Sequence, residues 1–240
     1  MRTKYCLLLI AGLLMSAGAF AQADKFYTTS GGEMIFSFAA IDDGGSESGN
    51  ILRWSPVFNF QNLGNYDVNN NLGFFTGINI RNVGFIYDNY TAPGTTNTVK
   101  KKFRNYTAGI PVGFKLGRLD KIFVYGGYEI EFPFNYKEKT FENERKTDKF
   151  NVWFSSRVPA IYHTFLAGIQ FPRGANLKFK YYLTNFHNKD FTEKLSDGTV
   201  VKPYEFLNAN VFYISLNFSL FRNAKIYTEE KYTDTKAMVF

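Results

Sequence analysis

Apolar residues occupy every second position in eight segments of this chain. Segment 211–221 is typical, because Phe212, Ile214, Leu216 and Phe218 share one parity and a mixed set that includes Ser215 and Asn217 shares the other. A period of two gives a β-strand one apolar and one polar face. The segments are 33–41, 51–60, 72–86, 103–116, 121–136, 161–171, 177–186 and 211–221. Each is long enough for a tilted transmembrane strand, so the pattern predicts an all-β fold, an eight-stranded antiparallel transmembrane β-barrel with up-and-down meander topology.

The first residues have the features of an export signal. Arg2 and Lys4 precede an apolar run over 6–17 and the small-residue end Ala19-Phe20-Ala21. We expect cleavage after Ala21, with Ala23 as the alternative site. This divides the chain into a signal peptide (1–21), a barrel (22–221) and a C-terminal tail (222–240) that we expect in the periplasm.

Composition favours a membrane barrel over a soluble domain. Phe, Trp and Tyr make up 19% of the chain, and membrane barrels use aromatic girdles at both interfaces. The formal net charge of +7 is mild and decides nothing. After the signal, no run of 18 apolar residues occurs, which excludes membrane-spanning helices.

Connection lengths alternate as they do in outer-membrane barrels, where periplasmic turns are short and outer loops are long. The short connections are 117–120 and 172–176, and the predicted outer loops are 42–50, 87–102, 137–160 and 187–210. Segment 61–71 is longer than the other periplasmic turns, and we expect its Asn-rich sequence to hide strand ends. The sequence leaves open whether the barrel has eight strands or ten.

Charged residues collect on the inward parity of the predicted strands. They are Glu33, Arg53, Arg81, Lys115, Glu129, Glu131, Lys178 and Lys180. Because buried charges must be paired, we expect a network inside the lumen in which the glutamates face Arg or Lys from neighbouring strands. Side chains fill an eight-stranded barrel, which favours internal bracing over an ion or proton path.

The sequences of segments 75–85 and 106–113 resemble the PorT-like branch of the small outer-membrane β-barrel family of Gram-negative bacteria. That family includes OmpA-like and OmpX-like barrel domains. The resemblance covers most of the chain after the signal. It implies a porin-like barrel in the cell envelope, located in the outer membrane and inserted by the barrel-assembly machinery. That machinery reads an aromatic terminal strand, so the tail after Phe221 departs from the family pattern. Either the tail is periplasmic or the closing strand lies later.

Two groups on the predicted outer loops are candidate contact sites. Lys101, Lys102 and Arg104 form a basic cluster flanked by aromatic residues. An exported barrel meets lipopolysaccharide phosphates before any nucleic acid, so we expect outer-membrane lipids and lipopolysaccharide as partners, and no nucleic acid. Trp153 and Phe154 are a possible loop contact, anchored in the interface or covering the barrel mouth. The sequence indicates no specific protein partner.

Catalytic and cofactor sites are not indicated. The histidines, His163 and His187, have no metal-ligand spacing around them, and the glycine pairs follow no strand-to-helix pattern. Ser155 and Ser156 near His163 leave a lipid-modifying enzyme as a weak alternative. We therefore predict no enzyme, no metal and no cofactor.

These observations favour a structural or surface-recognition role in the outer membrane. A narrow channel and a component of a transport, secretion or gliding apparatus remain alternatives. A soluble lipocalin-like barrel would instead turn its apolar residues inward.

Overall fold

The computed structural model describes residues 25–42, 50–91, 97–195 and 198–224. The predicted signal peptide and the tail from residue 225 onward lie outside these ranges. Among the described residues, no helix has the length and hydropathy of a membrane span.

The described chain is built almost entirely of β-strands. One 3-10 turn, Pro172–Gly174, interrupts them. The strands are β1 Phe26–Asp42, β2 Asn50–Ile51, β3 Arg53–Ser55, β4 Phe60–Asp67, β5 Leu72–Thr91, β6 Thr98–Gly117, β7 Phe123–Glu142, β8 Arg145–Trp153, β9 Tyr162–Gln170, β10 Ala175–Tyr182, β11 Glu193–Lys194, β12 Val200–Val201 and β13 Asn208–Ala224.

Eight strand positions close into an antiparallel ring. Two positions are composite, because β2, β3 and β4 together form the second and β8 and β9 together form the sixth. The ring closes where β1 pairs with β13, from Thr28 opposite Ala224 to Asp42 opposite Asn208. The predicted fold class is therefore confirmed, with eight strands instead of ten. Strands β11 and β12 form a separate small sheet.

Short and long connections lie at opposite ends of the ring. The short ones, 68–71, 118–122 and 171–174, define what we call the turn end; the opposite end is the loop end. Strand β4 continues to Asp67, so the predicted long connection 61–71 does hide a strand, and the turn itself is short.

The second strand position is broken by an insertion. Ile35 of β1 faces Ser55, whereas Gly32 faces Phe60, so two extra residues bulge out between β3 and β4. Asn59 fills the gap: its side-chain amide donates to the Ser55 carbonyl at 2.8 Å, and its oxygen accepts from the Asn82 amide. The prediction of one continuous strand over 51–60 was wrong, although its inward and outward parity holds.

The predicted outer loop 137–160 is mostly a hairpin. Strand β7 runs to Glu142, and β8 returns from Arg145 to Trp153. Asn143 and Glu144 both have positive φ, 47° and 63°, as a two-residue type I′ turn requires. The loop prediction was wrong here because paired strands continue well beyond the apolar band.

At the level of the apolar outer band, the barrel carries charged side chains in its lumen. Ile78 and Val112 are 65% and 61% exposed on the outer surface, whereas Arg81 and Glu129 are 1% and 0% exposed in the lumen. On β6, outward residues from Leu116 to Tyr106 are apolar or aromatic. At about 3.4 Å per residue and a tilt near 40°, that stretch rises about 25 Å, the height of the apolar band in membrane barrels.

Candidate functional site

Three carboxylates and three cations are enclosed in the lumen. We call them the central cluster: Glu33, Arg81, Glu129, Glu131, Lys178 and Lys180. The Arg81 Nε donates to Glu33 at 3.1 Å, and its Nη1 donates to Glu129 and Glu131. The Lys180 ammonium donates to Glu129 at 2.8 Å and to Glu131. Lys178 donates to Glu33 at 3.3 Å.

Neutral side chains complete this network. Thr107 and Tyr182 both donate to Glu131 Oε2 at 2.8 Å, and Asn79 donates to Glu129 at 3.0 Å. Ser215 donates to Glu33, and Gln61 accepts from Lys178. These hydrogen bonds offset part of the desolvation cost that buried ions incur.

The central cluster connects the whole ring. Its members and their neutral partners come from β1, β4, β5, β6, β7, β10 and β13, and Thr164 of β9 donates to the Glu129 carbonyl at 3.0 Å. Charges of both signs are equal in number, and each cation is held by carboxylates. This geometry supports internal bracing over ion transport.

Two of the predicted lumenal charges lie apart from the central cluster. Arg53 forms no ion pair with any described residue. Its guanidinium donates to the Asn82 carbonyl at 3.1 Å and to the Asn82 side chain, beside the break in the second strand. Lys115 lies nearer the turn end, where it forms an ion pair with Asp67 and donates to the Tyr27 hydroxyl at 2.9 Å.

A small cavity separates the central cluster from the turn end. Its volume is about 70 Å³, and its lining includes Lys115, Tyr125, Asn176 and Lys178. That volume holds a few water molecules.

The loop end of the lumen is filled by rings and by a loop that folds into the barrel mouth. We call this segment, residues 183–207, the cap loop; its described parts are 183–195 and 198–207. Phe186 of this loop is buried, and its carbonyl accepts from the Tyr162 hydroxyl at 2.6 Å. Arg157 holds the cap loop in place. Its guanidinium forms an ion pair with Glu193 and donates to the Tyr204 hydroxyl at 3.1 Å.

His187 is buried in this aromatic plug. Its ring stacks on Tyr204 with centroids 4.1 Å apart and contacts Phe103 and Phe186 edge-on. Burial lowers the pKa of His187 well below 6.5, and Lys101 and Arg157 lower it further. A neutral, enclosed imidazole of this kind has no access to a substrate.

His163 lies on the outer surface of β9. Its Nδ1 is hydrogen-bonded to the Tyr128 hydroxyl, while the Ser155 hydroxyl accepts from the Arg157 amide at 3.2 Å. Among the described residues, neither histidine is hydrogen-bonded to a serine, so the arrangement that nucleophilic catalysis needs is not assembled there. No group of three potential metal ligands occurs in the described part of the chain.

Six basic side chains share the outward face of β6, β7 and β8 beyond the apolar band. We call them the cation face: Lys102, Arg104, Lys137, Lys139, Lys146 and Lys149. Arg104 lies opposite Lys137, and Lys139 lies between Lys102 on one side and Lys149 on the other.

Lys101 does not share this face with Lys102 and Arg104. Neighbouring residues of a strand point to opposite sides, and Lys101 turns inward, where it forms an ion pair with Glu138 and lies 4.8 Å above the Tyr90 ring. It therefore belongs to the interior of the loop end and not to the basic cluster predicted from the sequence.

Trp153 and Phe154 lie at the outer surface and do not cover the mouth, which the cap loop closes. Trp153 stacks on Phe134 at 5.9 Å, and Phe134 stacks on Tyr106 at 6.2 Å. Phe154 is 80% exposed. The rings of Tyr106, Phe134 and Trp153 form what we call the aromatic row, directly below the cation face.

Sequence reasoning missed Lys137, Lys139, Lys146 and Lys149 because it placed them in a loop. Their alternation with Glu138 and Thr140 indicates a strand. It does not give the outward direction, because Lys137 and Lys139 share the parity of the inward Glu131 and a bulge in β7 reverses the faces. Sequence reasoning also missed Tyr182 and Ser215, whose parity matches that of the predicted lumenal charges.

No protein-family model and no curated protein sequence matches the chain. Among solved structures, it is similar to Ail, the attachment invasion locus protein of Yersinia pestis, in complex with the heparin analogue sucrose octasulfate. The identity is 12%, the match covers 80% of this chain and 97% of that chain, and the TM-score is 0.35. Neisserial surface protein A is also 12% identical, with 81% and 96% of the two chains covered and a TM-score of 0.34. At these TM-scores the fold assignment rests on the closed ring of strands itself.

Proposed function

We propose that this chain is an outer-membrane β-barrel with a structural or surface-recognition role, and that it neither catalyses a reaction nor conducts ions. The observation that carries the proposal is the distribution of polarity around the closed ring. Large apolar side chains such as Phe74, Ile110 and Phe179 are about half exposed on the outside, while charged side chains are fully buried inside. A soluble barrel would expose its charged side chains and bury these apolar ones.

The two ends of the barrel support one orientation in the membrane. Outer-membrane barrels keep short turns in the periplasm and place longer connections outside. The turn end would then face the periplasm, and the cap loop, the β7–β8 hairpin and the cation face would face the exterior. The outward band would contact lipid and lipopolysaccharide, with insertion by the barrel-assembly machinery.

The filled lumen supports a closed barrel over a narrow channel. Between the central cluster and the mouth, the buried rings of Phe85, Phe103 and Phe186 occupy the interior. The Phe85 centroid lies 5.1 Å from that of Phe103 and 5.2 Å from that of Phe186. Conduction would require the cap loop to leave the mouth and the central cluster to open.

Membrane fractionation combined with gel mobility tests the location and the closed fold. We expect the protein in outer-membrane fractions, migrating faster in detergent when unboiled than after boiling. The matched variants are Ile214→Lys, which places a charge in the apolar band, and Ser155→Lys at the loop end. A charge at mid-bilayer costs about 2–4 kcal/mol in such barrels, so only Ile214→Lys should reduce the folded band. A soluble periplasmic protein without a heat shift would contradict the proposal.

Planar-bilayer recording tests the closed state separately. The folded protein should give no steady conductance. Steady single-channel steps would favour the narrow-channel alternative, and an Arg157→Ala variant, which releases the cap loop, would show whether the mouth gates them.

A further inference from the structure

The cation face is a basic surface without anionic partners. At its edge, Lys100 forms ion pairs with Asp88 and Glu144. None of the six members forms an ion pair with an acidic residue in the described ranges. The acids that alternate with them on β7 and β8, Glu138 and Asp148, lie on the opposite parity, opposite Phe103 and Thr140.

The members of this face are held close enough to repel one another. The pKa of Lys137 is lowered by partial burial first and then by Arg104, Lys149, Lys139 and Lys146. Lys139 has a lowered pKa for the same reasons, burial first and then Arg104, Lys146 and Lys149. Like charges opposite each other across strands are destabilising, so a bound anion would relieve a cost built into the sheet.

The height of the face matches the headgroup region of a bilayer. The aromatic row of Tyr106, Phe134 and Trp153 lies directly beneath it, and Arg104 is 5.1 Å above the Tyr106 ring. Aromatic rows mark the membrane interface. A step of two residues along a strand covers about 7 Å. The cations, two residues beyond the aromatic row, therefore lie at the level of lipid phosphates.

The width of the face exceeds a single phosphate. It covers three strands, roughly 10 Å across at 4.7–4.9 Å per strand. Below it, exposed apolar residues on the same strands, including Ile110 and Phe132, continue into the band. A ligand that fits both features has several phosphates at the surface and acyl chains beneath.

We propose that the cation face binds a lipid of the outer leaflet whose headgroup carries two or more phosphates. This inference rests on the proposed membrane location. Arg104, Lys137 and Lys139 form the centre of the site, with Lys102, Lys146 and Lys149 around them. The phosphates pair with the cations, and the acyl chains lie along the aromatic row and the apolar band.

Native mass spectrometry of the folded protein in detergent tests this with diphosphorylated lipid A as the probe and its dephosphorylated form as the comparison. The test variant is Arg104→Gln/Lys137→Gln/Lys139→Gln. The control variant, Arg118→Gln/Lys121→Gln/Arg173→Gln, removes the same charge from exposed residues at the turn end. Each cation near an anionic surface contributes about fivefold in affinity. We therefore expect the test variant to bind about a hundredfold more weakly and the control to bind like the wild type.

Equal retention of diphosphorylated lipid A by the two triple variants would overturn the proposal, as would equal binding of the dephosphorylated form. Soluble pyrophosphate that binds as tightly as diphosphorylated lipid A would also overturn it, because the acyl chains would then add nothing and the ligand would be a soluble anion. If the test variant fails to fold, Lys139→Gln alone should weaken binding about fivefold. The heat shift on gels is read first for every protein, so a failure of the barrel itself is separated from a failure of lipid binding.

Discussion

The central cluster and the cation face use the same side chains in opposite ways. In the central cluster, Arg81, Lys178 and Lys180 are buried and each is paired with carboxylates. On the cation face, Arg104, Lys137 and Lys139 lie outside the barrel beside other cations. The difference follows from strand parity and height along the strand. It teaches that one barrel can pair its charges in the lumen while, among the described residues, the charges above the band face other cations.

Exchanging one arginine in each region should give the largest contrast. Arg81→Met leaves three buried carboxylates facing two cations, and breaking a buried ion pair costs about 3–5 kcal/mol. Arg104→Met removes an outward charge and should change stability by less than about 0.5 kcal/mol. Urea unfolding of the folded barrel in lipid vesicles, followed by gel mobility, measures both. Equal losses would remove the distinction between the two regions.

A double-mutant cycle sharpens this result. Glu131→Gln leaves the central cluster one carboxylate short and Lys180→Met leaves it one cation short, whereas the double variant restores equal numbers. We expect a coupling energy of about 1–3 kcal/mol, because contacting residues are not additive. Additive losses would show that the pair is not a unit.

His187 provides a third environment, a buried titratable group without a counter-charge. Its pKa in the folded protein is depressed below 6.5, so an opened cap loop binds more protons than a closed one as the pH falls below 6.5. The free energy needed to open the cap loop should therefore fall below about pH 6.5, by up to about 2 kcal/mol near pH 5. Hydrogen exchange of segment 183–195, corrected for the intrinsic rate, should show faster opening at low pH in the wild type and a weaker dependence in His187→Phe. A pH-independent opening would contradict this account.

The smallest expected effect concerns repulsion on the cation face. In neutral detergent without phosphate, Lys139→Gln should stabilise the barrel by up to about 1 kcal/mol at low salt, because it removes one of several neighbouring cations. In about 1 M salt, where the Debye length is about 3 Å, the difference should vanish. The matched variant Lys189→Gln in the cap loop should show no such salt dependence. Destabilisation by Lys139→Gln would mean that this lysine has a partner in the protein.

The sequence predicted the ring because the period of two persists through most of each barrel strand. In β7 a bulge reverses it, so Glu131 and Tyr136 both point inward. Trp54 and Phe60 point outward on either side of a bulge, so parity could be read even where the strand itself breaks. It also placed Glu33, Arg81, Glu129 and Lys180 on the inward side. Which cation meets which carboxylate depends on register across strands far apart in sequence, and alternation alone does not determine it.

Strand ends were harder to predict, for a physical reason. Above the bilayer both faces of a strand meet polar surroundings, so the apolar alternation stops although the hydrogen-bonded ladder continues. Segment 137–153 therefore resembled a loop, and four cations of the cation face were missed. Lys101 was grouped with Lys102 and Arg104 from sequence proximity, whereas alternation separates it from both.

Lipid contact along the outer band is the central claim, and spin-label accessibility tests it most directly. Cys6 is the only cysteine of the chain, so a Cys6→Ser background accepts single labels. Labels at Val112→Cys and Phe165→Cys on the outward face should be accessible to oxygen and protected from a water-soluble nickel complex. A label at Ser215→Cys in the lumen should be protected from both, and one at Phe154→Cys should be open to nickel. Nickel access at Val112→Cys and Phe165→Cys equal to that at Phe154→Cys would place the band in water and contradict the account.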